Sequence, residues 1–371
     1  MQKFLEELVR IPSVSSDSAQ LHLVIDRLEQ EFISFENARI QRFVFNEKPS
    51  LVVQNFDGKE ADIVLNGHID VVPPSEDGQF EPRFEEGKLF ARGASDMKSG
   101  IVVIVSVMKR LLESHYTDNK VSLIITADEE VGGYDGVAKL VELWYTGRVL
   151  LIPDGGGREE IVHGEKGICM FELTAQGVSC HSSRPWLGEN AIMKLIGCFQ
   201  EIQETLQQTH EAYHTEDNRW TTVNLNVIQG GTATNVLPGE CTARVDIRFT
   251  EAYTLDHIQK TVENIVKNHD CTVQFTITGA LLFARADHPV LQHYVAQATE
   301  VFGAVPALVK EHGGSDGRFF AATGSVVILQ KPTGWNIHGK DERVNVAEME
   351  QLAECYYRFV TTVLLEDGLK K

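Results

Sequence analysis

Helical and strand-like patterns alternate along the first part of the chain. Residues 18–32 place Leu21, Leu23, Val24, Ile25, Leu28 and Phe32 at near-helical spacing, which predicts a helix with one buried face. A short apolar run at 61–65 stops at Asn66-Gly67-His68. Two more, at 121–127 and 149–152, run into acid at Asp128 and at Pro153-Asp154. Residues 99–112 carry Ile101, Val102, Ile104, Val105, Val107, Met108 and Leu111, which predicts a helix buried on most sides. This alternation predicts an α/β fold, a mixed sheet covered by helices.

Residues 167–282 follow a different order. A strand pattern at 168–175 precedes a helical one at 189–206; strands at 222–228 and 240–249, a helix at 255–266 and a strand at 272–278 follow. That βαββαβ order predicts a ferredoxin-like domain inserted in the chain. A helix at 288–302, a strand at 325–329 and a closing helix at 345–365, capped by Asn345 with Glu348 three residues on, then resume the first pattern. The first domain is therefore read as discontinuous, 1–166 plus 283–371, around an insert at 167–282.

Candidate chemistry collects where the apolar runs end. His68, Asp70, Asp128, Glu129, Glu130 and Asp154 each follow a predicted strand, and open α/β sheets bind ligands beyond their strand C-termini. In extended chain Asp70 lies on the same side as His68, so it is expected to accept the second ring N–H and fix the tautomer. Asp96, in Gly93-Ala94-Ser95-Asp96-Met97-Lys98-Ser99-Gly100, is flanked by glycines that permit an unusual backbone. Taken singly, each segment has an ordinary explanation. His68-Ile69-Asp70 reads as a solvated strand end, Ser95 or Asp96 as the N-cap of the next helix, Asp128-Glu129-Glu130 as an acidic loop, Asp154-Gly155 as a turn and His338 as a loop histidine. Together, His68, Asp96, Glu130, Asp154 and His338 supply two imidazoles and three carboxylates. That donor mix suits two zinc ions, with cobalt or manganese as substitutes, bridged by Asp96 and open to water. Glu129 would then be the general base.

Composition narrows the partners. The chain has 371 residues with 34 basic and 53 acidic side chains, a net charge of −19, which disfavours nucleic acid. No window reaches the ~18 consecutive apolar residues of a membrane helix. The first ten residues place acid inside their apolar stretch, unlike a signal peptide. The six cysteines form no Cys-x-x-Cys pair and read as reduced thiols of a cytoplasmic protein. No Gly-x-Gly-x-x-Gly follows the first strand, so a dinucleotide fold is not expected.

Across almost the whole chain these motifs resemble the metallopeptidase family of succinyl-diaminopimelate desuccinylase, acetylornithine deacetylase, aminoacylase, carboxypeptidase G and several di- and tripeptidases. The resemblance rests on Gly67-His68-Ile69-Asp70, on Gly93 to Gly100, on Asp128-Glu129-Glu130 and on Ile337-His338-Gly339. It implies His68 and Asp154 on one metal, Glu130 and His338 on the other, Asp96 bridging, Asp70 orienting His68 and Glu129 as base. It also implies a cis peptide at Asp96-Met97. Gly177 to Pro185 resembles the family's lid motif, which makes the insert a lid and dimerisation domain whose His181 stabilises the oxyanion in the partner's site of a homodimer. Asn235, Arg248, Gly314 and Ser315 fall in segments resembling substrate-binding ones, with Arg248 suited to a substrate carboxylate. The implied activity is amide hydrolysis of a small N-acyl amino acid, with a di- or aminopeptidase or carboxypeptidase as the alternative. Asp154 favours the amino-, di- and tripeptidases, because many deacylases and carboxypeptidases of the family carry Glu there; the Ser315-Asp316-Gly317-Arg318 loop and the chain length favour the deacylases. A non-catalytic binding protein and a two-metal phosphoesterase are the remaining readings. The first is opposed by the complete ligand set with its base, the second by the scarcity of cationic groups.

Overall fold

The computed structural model describes residues 1–207 and 220–364. In chain order the elements are α1 (Gln2–Val9), α2 (Ser18–Glu29), β1 (Arg39–Phe45), β2 (Lys48–Gln54), β3 (Glu60–His68), β4 (Arg83–Glu85), β5 (Lys88–Phe90), α3 (Ser99–Glu113), β6 (Val121–Thr126), α4 (Val137–Glu142), β7 (Thr146–Ile152), β8 (Glu160–Glu165) and β9 (Gly167–Gln176). These are followed by α5 (Ala191–Leu206), β10 (Thr222–Gly230), β11 (Glu240–Phe249), α6 (Leu255–Asn268), β12 (Cys271–Gly279), β13 (Leu282–Phe283), α7 (Pro289–Phe302), β14 (Ala307–Glu311), α8 (Gly317–Ala321), β15 (Val326–Leu329), β16 (Gly334–Trp335), β17 (Arg343–Asn345) and α9 (Ala347–Thr362). Backbone contacts divide the chain into two compact units, one of Met1–Gly164, Phe283–Glu311 and Ser315–Lys371, the other of Glu165–Leu282 and His312–Gly314.

The first unit is built on a mixed sheet in the order β1-β2-β6-β3-β7-β15-β8-β13, with β14 beside β8. Its centre is parallel: β3 pairs with β6 and β7, and β15 with β7. The register sets His68 opposite Thr126 and Leu65 opposite Leu151, so β3, β6 and β7 all end at one edge. β6 is buried at every position, as a central parallel strand requires. Helix α3 buries Ile101, Val102, Val103, Ile104, Val105, Val107, Met108, Leu111 and Leu112, and joins α1, α2, α7 and α9 in a single core. Gly100 lets its first turn approach the next strand end, because a Cβ there would lie 2.6 Å from Pro153 O.

The second unit is a four-stranded antiparallel sheet in the order β10-β11-β9-β12, with α5 and α6 packed on it. Its core includes Phe171, Leu173, Leu195, Ile202, Val245, Ile247, Phe249, Ile258 and Val262.

Local expectations differ at three places. Helix α3 starts after Lys98 with no side-chain cap; Asp96 is instead turned to the imidazoles. Helix α9 begins at Ala347 after Val346, although the Asn345 Oδ1 still accepts from Ala347 N at 3.2 Å and its Nδ2 donates to Glu348 Oε1 at 2.8 Å. It closes at Thr362, and residue 365 of the expected helix lies outside the described residues.

Candidate metal centre

The site lies in the first unit, past the strand edge. β3 ends at His68, whose Nδ1 donates to the main-chain oxygen of Asp70 at 3.0 Å. This fixes the ring orientation and turns Nε2 toward Asp96 Oδ1 at 3.2 Å and Asp154 Oδ2 at 3.7 Å. The Asp70 carboxylate therefore does more than the sequence suggests. It lies 3.3 Å from His68 Nδ1, but its hydrogen bonds come from Glu129 N at 3.1 Å, Glu130 N at 3.2 Å and the Ser15 hydroxyl at 2.7 Å. It pins the acidic turn after β6 to the end of β3.

That turn also depends on buried acid and glycine. Asp128 Oδ2 accepts from Asp135 N at 2.7 Å and Gly136 N at 3.0 Å, closing the loop. Gly132 and Gly133 take φ of 111° and 68°, in the left-handed region that favours glycine. Arg318 Nη2 donates to Gly132 O at 2.7 Å.

Asp96 turns one oxygen to each imidazole: Oδ1 to His68 and Oδ2 to His338 Nε2, the latter at 3.0 Å. The Asp96-Met97 peptide is cis. Glu130 lies 3.2 Å from His338 Nε2. Two groups of converging donor atoms result, His68/Asp96/Asp154 and Asp96/Glu130/His338, each with its atoms within 4.8 Å of one another. Two imidazoles and three carboxylates aimed at shared points repel unless protons or cations lie between them, so this set fits two dications.

The electrostatics show that stress. Burial pushes the His68 imidazolium down, but Asp154, Asp70 and Asp96 outweigh it and raise its pKa well above 6.5. Hydrogen bonds that its ring donates to Asp96 and Glu130 raise His338 to about 10. Burial would raise Asp96, yet the two imidazoles bring it well below its usual range. Burial, followed by repulsion from Asp96, raises Asp154. Glu129 is raised well above its usual value by burial, with repulsion from Asp316, Asp154 and Asp96 prevailing over the attraction of His68. It stands beside both groups, 4.0 Å from His68 Nε2, without joining either.

Two residues that attracted no role in the sequence hold this geometry. Arg92 and Glu342, 1% and 0% exposed, form an ion pair at 2.6 Å. Glu342 Oε1 accepts from Ser95 N at 3.0 Å and Asp96 N at 3.1 Å, fixing the backbone of the shared carboxylate. Arg92 Nη2 donates to His338 O at 3.0 Å, where the Ser75 hydroxyl also donates at 3.0 Å, and so holds His338 at a φ of 60°. The only sequence signal was a pair of charges in otherwise tightly turned segments.

The remaining candidates are distributed between the units. Ser315 belongs to the first unit and is buried; its hydroxyl accepts from Gly317 N at 3.2 Å and its carbonyl from Arg318 Nη1 at 2.9 Å. Gly314, His181, Asn235 and Arg248 belong to the second. His181 is exposed, and its Nδ1 accepts from Ser183 N at 3.2 Å, which leaves the proton on Nε2. Asn235 O accepts from Ser182 N at 2.9 Å, close to that histidine in sequence. Arg248 is paired within its own strand: its Nε and Nη2 donate to the two oxygens of Asp246 at 2.9 and 3.3 Å.

Comparison with known proteins gives a family and a fold. The model of peptidase family M20/M25/M40 matches residues 64–362. A succinyl-diaminopimelate desuccinylase from Alkalilimnicola ehrlichii is 31% identical over 307 residues, covering 78% of this chain and 80% of that protein. Among solved structures, an M20 family metallo-carboxypeptidase from Sulfolobus solfataricus superposes with a TM-score of 0.74 at 16% identity, covering 97% of this chain and 98% of the other. The aminopeptidase PepT from Bacillus cereus gives 0.72 at 19% identity, with 97% and 98% covered. At such identities the structural matches establish the mixed α/β fold.

Proposed function

The chain belongs to peptidase family M20/M25/M40, a family of metal-dependent hydrolases, and on that premise we propose that it is a two-zinc enzyme cleaving the amide bond of a small N-acyl amino acid. The observation that carries this reading is Asp96, with one oxygen toward each of two His-carboxylate groups. Three carboxylates and two imidazoles give each ion nitrogen and oxygen donors, a set zinc favours and cobalt or manganese also accept. Bound there, the ions would polarise the scissile carbonyl and lower the pKa of water.

The protein groups divide the remaining work. Glu129, nearly dry and next to the shared carboxylate, takes the proton of the attacking water and passes it to the leaving amine. Asp70 holds His68 through its carbonyl and Glu129 through its carboxylate, so one residue aligns ligand and base. His181 presents Nε2–H to the developing oxyanion in the partner's site of a homodimer. An exposed sheet edge supports that assembly: β10 is an edge strand with Val227 and Ile228 exposed, and Trp186, Leu187 and Met193 are exposed in the same unit. Asn235, Gly314 and Ser315 contribute hydrogen bonds to substrate, and Arg248 binds a substrate carboxylate by sharing its guanidinium with Asp246. The second unit thus serves as lid and dimerisation domain. All six cysteines are free thiols, which suits the cytoplasm.

The alternative within the family is an amino- or dipeptidase, favoured by the aspartate at position 154. A panel of N-acetyl and N-succinyl amino acids, free dipeptides and N-blocked dipeptides, assayed with zinc- and manganese-loaded protein, tests the choice. Hydrolysis of the acyl amino acids, abolished by chelator and restored by metal, is the expected result. Cleavage of free dipeptides alone would refute it.

A further inference from the structure

Lys331 is a cation beside the metal centre, facing one of its carboxylates. Its side chain is 8% exposed, and its Nζ lies 4.0 Å from Asp154 Oδ1, beyond hydrogen-bond distance. Among the described residues no other partner is recorded for its Nζ. An ammonium carries three donors, and a side chain this enclosed leaves them little water, so an arriving acceptor would be favoured. The side chain is not there through slack in the backbone. Gln330 N donates to Ile152 O at 3.2 Å, continuing the parallel pairing of β15 with β7, so position 331 runs alongside the Pro153-Asp154 end. The Gln330 side chain is fixed by Tyr294 OH at 2.7 Å and by Gly157 O and Arg158 O, each at 3.1 Å. Tyr356 OH donates to Gln330 O at 2.9 Å, and Pro332 stiffens the next residue.

The two oxygens of Asp154 face different partners. Oδ2 points to His68 Nε2 at 3.7 Å, toward the shared site, and Oδ1 toward Lys331. Once the carboxylate is engaged through Oδ2 by a dication, little of its charge remains for Lys331, and the ammonium becomes a net positive group at the wall of the site. We propose that Lys331 is a specificity-determining residue: it binds a carboxylate of the substrate and disfavours substrates with a free α-ammonium. This rests on the hydrolase reading above and names the substrate class within it, acyl compounds bearing a carboxylate near the scissile amide. It also removes the conflict at position 154. An aspartate whose outer oxygen already faces a lysine is a poor receptor for a peptide's N-terminal ammonium, because the two cations would compete for one oxygen.

The carboxylate has two sources, the amino acid's own or the far end of a dicarboxylic acyl group. Zinc-loaded wild type and Lys331→Met are assayed on N-succinyl-L-alanine, N-succinyl-L-alaninamide, N-acetyl-L-alanine and N-acetyl-L-alaninamide. The substitution should raise KM about ten- to hundredfold, the size of one charge-assisted hydrogen bond, for each compound that retains the recognised carboxylate, and leave the others unchanged. The carboxylate whose removal abolishes this sensitivity is the one bound. Lys331→Arg should recover most of the loss, and L-alanyl-L-alaninamide, which has the α-ammonium and neither carboxylate, should become a better substrate of Lys331→Met. Calorimetric titration with succinate and with neutral succinamide repeats the comparison without turnover: only succinate should bind more weakly to Lys331→Met. An equal loss on all four compounds, or a fall in zinc content below two per chain in Lys331→Met, would overturn the inference and leave Lys331 as a support for Asp154. Wild type inert toward all four acyl compounds but active on free dipeptides would instead overturn the deacylase reading itself.

Discussion

Replacing Glu342 by Gln tests whether the buried ion pair governs metal binding. The amide oxygen of the variant can still accept from Ser95 N and Asp96 N, which lie 3.0 and 3.1 Å from Glu342 Oε1. What it cannot do is oppose the Arg92 guanidinium, 2.6 Å from Oε2 in a pair that is almost wholly dry. Breaking a buried pair by removing one partner costs about 3–5 kcal/mol. Only part of that reaches the metals, through the two backbones the pair holds, those of Asp96 and His338. Loss of a partner that orients a ligand typically lowers metal affinity about 10- to 100-fold, or about 1.4–2.7 kcal/mol. The rest should appear as a lower melting temperature of the metal-free protein. Zinc affinity is read by competition against a chromophoric chelator. The weaker equivalent should belong to Asp96/Glu130/His338, because two of its three ligands depend on the pair and only one of the other group does. Arg92→Lys should behave similarly, since an ammonium cannot span Glu342 and the His338 carbonyl as a planar fork does. Two equivalents of zinc bound with wild-type affinity by a destabilised Glu342→Gln would show that the pair supports the fold alone, and the reasoning would be wrong.

Three further outcomes are expected. Glu129→Gln, isosteric and outside both ligand groups, should lower kcat by about 10²- to 10⁴-fold at unchanged zinc content, and a loss below tenfold would remove Glu129 from the chemistry. In the metal-free protein His338 is raised to about 10 and His68 well above its usual value, so loading at pH 8 must displace their protons. Apparent zinc affinity should therefore rise with pH, and binding heats should depend on buffer ionisation enthalpy; heats independent of buffer would contradict the assignment. Lys98 is fully buried and donates to Leu8 O at 3.0 Å and Ile11 O at 2.9 Å, while burial pushes its ammonium down to about 7, against the attraction of Glu342 and Asp70. An unfolded lysine titrates near 10.4, so between about pH 7 and 10 the unfolded chain holds more protons, and this residue's contribution to stability increases with pH across that window. The melting-temperature difference between wild type and Lys98→Met should shift in favour of wild type from pH 7 to 10, and a constant difference would refute it.

The parts legible in the sequence were those that burial makes periodic. The apolar runs of β3, β6 and β7 and the apolar helix α3 were visible because both faces of a central parallel strand, and most of a buried helix, must be hydrophobic. Three of the five candidate ligands, His68, Glu130 and Asp154, were visible for a related reason, since each follows such a run; Asp96 and His338 stood out only through the motifs around them. Elements with no such contrast were not read. β4, β5, β16 and β17 span two or three residues each, too short for any period. α1 was passed over because its acidic residues obscured an apolar stripe of Leu5, Leu8 and Val9. Arg92, Glu342 and Lys331 escaped because charged side chains are expected at the surface, and only three-dimensional pairing shows them buried. Asp70 was expected to serve His68 alone, and its bonds to Glu129 N and Glu130 N join segments 59 and 60 residues apart, which no local pattern reveals.

That Asp70 and Glu342 are both buried carboxylates follows from what the centre requires. Its carboxylates repel one another, and the imidazolium protons that offset them must leave when metal binds, so the ligand set alone does not hold the geometry that binds metal. Preorganisation has to come from groups that do not themselves face the ions, and these must grip backbone, since a ligand's side chain is committed. A carboxylate suits this task, because two oxygens can accept several main-chain N–H groups strongly. Asp70 takes those of Glu129 and Glu130, and Glu342 those of Ser95 and Asp96. The same burial that strengthens these bonds adds negative charge around an already acidic centre, which Arg92 offsets at Glu342. Asp70 has no guanidinium or ammonium within ion-pair distance among the described residues, only His68 at 3.3 Å. Its charge therefore bears on His68, where, on the proposed ligand assignment, it would strengthen the imidazole as a donor to metal.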